Sequence, residues 1–124
     1  MKDQMIIASI QMYSTGDKER NLQTMEKYLE HINKAFPNIK MVVFPELAAH
    51  GSISNMRKEA EVIPGELTSI FSNMANKYNL WLIPGSIYEK SNNEVYNTTP
   101  VFSSCGELLG NCLLYTSPSP RDSL

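Results

Sequence analysis

The sequence predicts an α/β domain with parallel strands, and three observations carry that prediction. Short apolar runs at residues 5–12, 41–44 and 80–83 have the length of buried strands. Amphipathic stretches with apolar residues at helical spacing lie between them. The second and third runs each stop at a proline, Pro45 and Pro84. Proline has no N–H for a sheet ladder and pushes the residue before it toward extended geometry. Strand, helix and strand in succession imply parallel pairing through a right-handed crossover.

Residues 5–12 are rich in β-branched side chains and predict a first strand, largely buried. Thr15-Gly16-Asp17 leads into a helix with Asp17 as its N-cap. From Lys18 to Phe36, the residues Leu22, Met25, Leu29, Ile32 and Phe36 fall on one stripe, and Glu30 and Lys34 pair on the opposite face. Pro37-Asn38 ends the helix, and residues 41–44 form the second strand. Residues 48–58 show no period and predict a long loop, well placed after a strand end to shape a pocket. Pro64-Gly65 breaks the chain before a second amphipathic helix marked by Leu67, Ile70, Phe71, Met74, Ala75 and Tyr78. The strand at 80–83 follows. Residues 87–90 and 95–103 then predict strands joined by the turn Ser91-Asn92-Asn93-Glu94. Residues 104–107 make a second tight turn before Leu108-Leu109-Gly110.

Composition changes after Gly110. Residues 111–124 follow neither period and end Ser/Pro-rich, and Pro118 and Pro120 exclude a helix or a central strand there. The expected organisation is a domain over residues 1–110 and an irregular tail over 111–124.

Lys and Arg number 11 against 13 Asp and Glu, a formal net charge of -2. With no basic cluster, nucleic acid is not the expected partner. The apolar runs are too short to span a bilayer, so no membrane association is expected. Met1-Lys2-Asp3-Gln4 enters a strand at once, without the apolar core of a secretory signal. Cys105 and Cys112 make no disulfide framework, and a cytoplasmic location is the expectation. Neither the cysteines nor the histidines have zinc-ligand spacing, and no phosphate loop or dinucleotide fingerprint is present. No metal or cofactor is expected.

Among residues able to do chemistry, Glu46 stands first. It lies just past the carboxyl end of a central strand, where open α/β sheets place their ligand sites. A carboxylate held there against apolar neighbours is a candidate proton carrier. Spacing alone equally allows a loop salt bridge or a hydrogen-bond acceptor. His50, close by, reads as a solvated or structural loop histidine. Gly51-Ser52-Ile53-Ser54-Asn55 lacks the final glycine of a nucleophile elbow. Cys105 falls in a hairpin turn without the helix end or cationic neighbours that activate a thiol.

The order of these pieces points further. Ile6, Ala8 and Gln11 on a first strand, Asp17 and Asn21 opening a helix, and Val43-Phe44-Pro45-Glu46-Leu47 resemble the nitrilase superfamily of carbon–nitrogen hydrolases. Trp81-Leu82-Ile83-Pro84-Gly85-Ser86, Tyr96-Asn97-Thr98 and the run from Phe102 to Gly110 continue the likeness, which covers residues 5–110. The resemblance implies the amino-terminal part of an α-β-β-α sandwich, left incomplete. It also implies a cofactor-free Glu-Lys-Cys triad acting on a small amide, carbamoyl compound or nitrile, in a parent that forms homo-oligomers. Glu46 matches the triad glutamate.

The chain departs from that pattern at its end. The family lysine belongs near Leu113 and Leu114, yet no lysine follows Lys90. The nucleophilic cysteine belongs further on, and Cys112 comes too early. The expected reading is therefore an inactive amino-terminal fragment that carries only the glutamate. Residues 112–124 resemble the translated read-through of a sequencing-library adapter, so the tail is expected to be artefactual. The competing reading is a non-catalytic α/β module that binds a partner or a small molecule.

Overall fold

A computed structural model of the chain describes residues 3–51 and 55–117. In chain order the elements are β1 (Ile6–Ser9), α1 (Lys18–Ala35), β2 (Ile39–Val43), α2 (Met56–Glu59), α3 (Glu66–Tyr78), β3 (Trp81–Ile83), β4 (Ile87–Ser91), β5 (Glu94–Phe102) and β6 (Leu108–Ser117). They build one mixed sheet in the order β1-β2-β3-β5-β4, with β6 paired to β5. β1, β2 and β3 run parallel, as the alternation of strands and helices predicts. β5 is antiparallel to β3, β4 and β6.

Local chemistry sets the helix ends. Asp17 caps α1 by accepting the Arg20 N–H at 3.2 Å. Leu22, Met25, Leu29 and Ile32 are all buried, as their spacing predicts. Phe36 leaves the stripe: it is the C-cap, 51% exposed, because a residue before proline is pushed out of the helical region. At the start of α3, the Gly65 N–H donates to Thr68 Oγ1 at 2.7 Å. Glu61 Oε1 accepts the Leu67 N–H there at 3.1 Å, a negative charge at the positive end of the helix. Asn79 closes α3 in the left-handed conformation.

The two sheet faces differ. Ala8, Val42 and Leu82 sit side by side in register, and Val42 and Leu82 pack into one core with Met25 and Leu29 of α1 and Phe71 of α3. Alternation sends Met41, Val43, Trp81 and Ile83 to the opposite face, where they are only half-buried. β1 was expected to be largely buried. Instead Ile6 and Ile7 are 49% and 52% exposed, because β1 is the sheet edge and no described helix packs on the face carrying Ile7.

Two other expectations are corrected and one is narrowed. Residues 48–58 are not all loop: residues 46–50 form consecutive turns, and Asn55 caps the short α2 by accepting the Lys58 N–H at 3.1 Å. Of the two readings of His50, the structural one fits and the solvated one does not: it is buried against the Tyr88 ring, with centroids 5.2 Å apart. Residues 111–117 are not irregular, since β6 crosses Gly110 and pairs with β5 as far as Ser117. Backbone pairing with β5 does not depend on side-chain periodicity, and two register shifts absorb the mismatch: Leu109 and Leu114 face no partner residue on β5. Residues 118–124 lie outside the described residues, as do Ser52, Ile53 and Ser54.

The β4–β5 turn falls where expected. Asn92 and Asn93 both have positive φ, 51° and 64°, as a two-residue hairpin of primed type requires. Among the described residues no helix is long and apolar enough to cross a membrane. No cluster of His, Cys, Asp or Glu among them could hold a metal ion.

Candidate active site

Three loops meet at the carboxyl ends of β1, β2 and β3. The Phe44 N–H still bonds to Ile83 O on β3 at 2.8 Å, so sheet geometry persists up to Pro45. Past the proline the chain turns sharply. Leu47 has a φ of 54°, a left-handed conformation disfavoured for a leucine. Its N–H is held by Ser86 Oγ at 2.9 Å, and Ser86 is itself buried. Ala48 N–H returns to Pro45 O at 3.2 Å and Gly51 N–H to Leu47 O at 2.8 Å. Glu46 thus sits at the crest of a turn locked on both sides.

Gly85 allows the β3 end to approach this turn. Its φ is +82°, and a Cβ there would lie 2.0 Å from Pro45 O. Gly51 plays the same part against the first loop, where a Cβ would lie 2.0 Å from Thr15 O. Asn21 ties that loop in. Its Oδ1 accepts from Thr15 N–H at 2.8 Å and Thr15 Oγ1 at 3.0 Å, and its Nδ2 donates to Thr15 O and Ala49 O, both at 2.8 Å. The side chain is buried with both ends of its amide in use.

The Glu46 side chain extends toward β5, where Asn97 Nδ2 donates to Glu46 Oε2 at 3.0 Å. Asn97 is 1% exposed, and its Oδ1 has no partner among the described residues. An idle buried acceptor costs about 1–3 kcal/mol. Strand alternation puts Asn97 on the face opposite Phe102 and the helices, the side on which Met41 and Ile83 are half-covered. Glu46 itself is exposed, so it is not walled by apolar neighbours as the sequence reading expected. Asn97 on β5 anchors its carboxylate through Oε2.

Of the other candidates, His50 lies beneath the turn. Burial pushes its imidazole below the ordinary value, more than the nearby Glu61 raises it. Its Nε2 has no partner among the described residues. Cys105 and Cys112 are exposed and not disulfide-bonded, on the β5–β6 turn and on β6. Neither enters a described contact with Glu46. Spacing gave no role to Asn97 or Ser86, which meet the turn around Glu46 only through the tertiary fold.

This arrangement of a parallel core sheet with an anchored carboxylate past its second strand agrees with comparison to known proteins. Residues 6–112 match the family described as carbon-nitrogen hydrolase. The chain belongs to that family, within the nitrilase superfamily.

Among its relatives, the omega-amidase NIT3 of Saccharomyces cerevisiae is 35% identical over 103 residues, 77% of this chain and 35% of that protein. The omega-amidase NIT2 of Danio rerio is 35% identical over 104 residues, 83% of this chain and 37% of that protein. The crystal structure of S. cerevisiae Nit3, a member of branch 10 of the nitrilase superfamily, superposes with a TM-score of 0.78 at 31% identity. It matches 88% of this chain and 43% of Nit3. An amidase from Nesterenkonia, with acrylamide added to its active-site cysteine, shares the fold with a TM-score of 0.79 at 16% identity, over 97% of this chain and 48% of its own. The chain therefore spans between about a third and a half of these relatives.

Proposed function

We propose that this chain is the amino-terminal part of a carbon–nitrogen hydrolase that cleaves small amides, and that Glu46 carries the protons of the reaction. Carbamoyl compounds and nitriles are the neighbouring substrate classes. The parent acts in the cytoplasm without a cofactor, nucleic acid or membrane, and as a homo-oligomer. The observation that carries this reading is the Glu46 carboxylate, set past the end of β2 on a locked turn and hydrogen-bonded by Asn97. The relatives named as omega-amidases favour an amide over a nitrile.

In this mechanism Glu46 takes the proton of a cysteine thiol as the sulfur attacks the carbonyl carbon. A lysine ammonium stabilises the oxyanion that forms. Glu46 then passes the proton to the leaving nitrogen, the C–N bond breaks, and ammonia departs from a thioester. Water next gives a proton to Glu46 as its oxygen attacks the thioester. The C–S bond breaks and the proton returns to sulfur. The lysine and cysteine lie in sequence beyond this segment, and residues 112–124 stand in place of the native continuation. The chain of 124 residues is then inactive on its own.

Reading the source DNA past the Gly110 codon in independent clones tests this. A lysine codon soon after it and a cysteine codon further on support the proposal. A reproducible stop after Leu124 in every clone contradicts it.

A further inference from the structure

We propose that Arg57 and Lys90 form a subsite for an anionic group of the substrate, a carboxylate or a phosphate carried several bonds away from the amide that is cleaved. The assignment rests on the reading of Glu46 as the residue at the reacting bond. Arg57 of α2 and Lys90 of β4 line a cavity of about 220 Å³ together with Asn93, Glu94 and Val95 of the β4–β5 hairpin.

Strand register sets this cavity beside the candidate active site. β5 runs antiparallel to β3, with Phe102 next to Leu82. Going back along β5 from Phe102 to Val95 therefore leads toward the end of the sheet that carries Glu46. Lys90 pairs with Val95, and the neighbouring pair on the same face is Tyr88 with Asn97, whose Nδ2 donates to Glu46. Two residues of strand put Val95 roughly 7 Å from Asn97.

The charges at this place are uncompensated. Ion pairs among the described residues use Lys18, Lys34 and Lys77, so neither Arg57 nor Lys90 has a carboxylate partner there. Glu94 lines the same cavity without pairing to either of them, and two cations against one carboxylate leave a positive balance. Concave walls focus such a field on whatever enters. Arg57 is also held in place, since its Nη1 donates to Asn93 O at 3.0 Å. A guanidinium fixed through one N–H still offers others in the same plane, a fork that matches two oxygens of a carboxylate or phosphate.

The test uses the full-length protein and straight-chain amides that differ only at the far end: carboxylate, phosphate ester or methyl. Ammonia release gives kcat/KM for each amide with wild type, Arg57→Gln, Lys90→Gln and Glu46→Gln. The wild type is expected to prefer a charged amide over the methyl one, and the leading charged amide identifies the anion. Arg57→Gln and Lys90→Gln are each expected to cut that preference by ~10-fold, mostly through KM. Damage to the fold would slow all the amides alike and leave the ratio unchanged, so the ratio separates binding from scaffolding. A wild type without charge preference, or an unchanged ratio in either variant, overturns the assignment. Full turnover in Glu46→Gln sinks the proposed function instead.

Discussion

Asn97 and Glu46 lie 51 positions apart in sequence, and their side chains meet at 3.0 Å across the end of the sheet. That contact exists because two backbone features converge on it. Pro45 and the left-handed Leu47 lift Glu46 out of β2, and Gly85 lets the β3 end pass beneath.

Gly85→Ala should disrupt this approach. The added methyl would meet Pro45 O at 2.0 Å in a backbone conformation that L residues rarely adopt. A loss of at least ~2 kcal/mol is expected, read as a lower urea midpoint. An unchanged midpoint would show that the two loops separate without penalty.

Asn21→Leu should also destabilise strongly, although its size is conserved. The change strips partners from the Thr15 N–H, Thr15 O and Ala49 O at once. The expected loss is about 2–4 kcal/mol. Thermal melts of the two proteins decide it, and coincident curves refute it.

His50 predicts an acid limb in stability. Burial lowers its proton affinity in the folded state below the ordinary value of 6.5, against the raising effect of Glu61. The unfolded chain therefore binds the proton first as pH falls. The contribution is complete above the unfolded value and is lost as pH drops toward the lowered folded one. His50→Leu should flatten the pH dependence of the melting temperature in that window. Equal slopes for the two proteins would assign the acid limb to other groups.

The face bearing Ile7, Met41, Trp81 and Ile83 predicts self-association of the 124-residue chain. These side chains are half-buried or exposed, and β1 offers an open strand edge beside them. Light scattering should rise with protein concentration. A monodisperse, cooperatively melting monomer would contradict it.

Much of this was legible in the sequence where a local rule sufficed. Asp17 caps because its side chain reaches the helix N–H groups beside it, and Leu22, Met25, Leu29 and Ile32 are buried because their spacing leaves one face. Pro45 placed Glu46 at a strand end for the same kind of reason. Context decided the rest. β1 looks like an inner strand but lies at the edge, so its isoleucines are exposed. β6 looks irregular but takes its register from β5. Ser86 and Asn97 stand in motifs that carry the family likeness, but no local rule gives their contacts, because their partners Leu47 and Glu46 come from another loop.

The central claim is that Glu46 moves the protons of amide hydrolysis. Ammonia release from a small amide by the full-length protein, with and without Glu46→Gln, tests it most directly. The account predicts that the substitution lowers kcat by ~10²–10⁴-fold while the fold persists. A Glu46→Gln protein that turns over at the wild-type rate would contradict it.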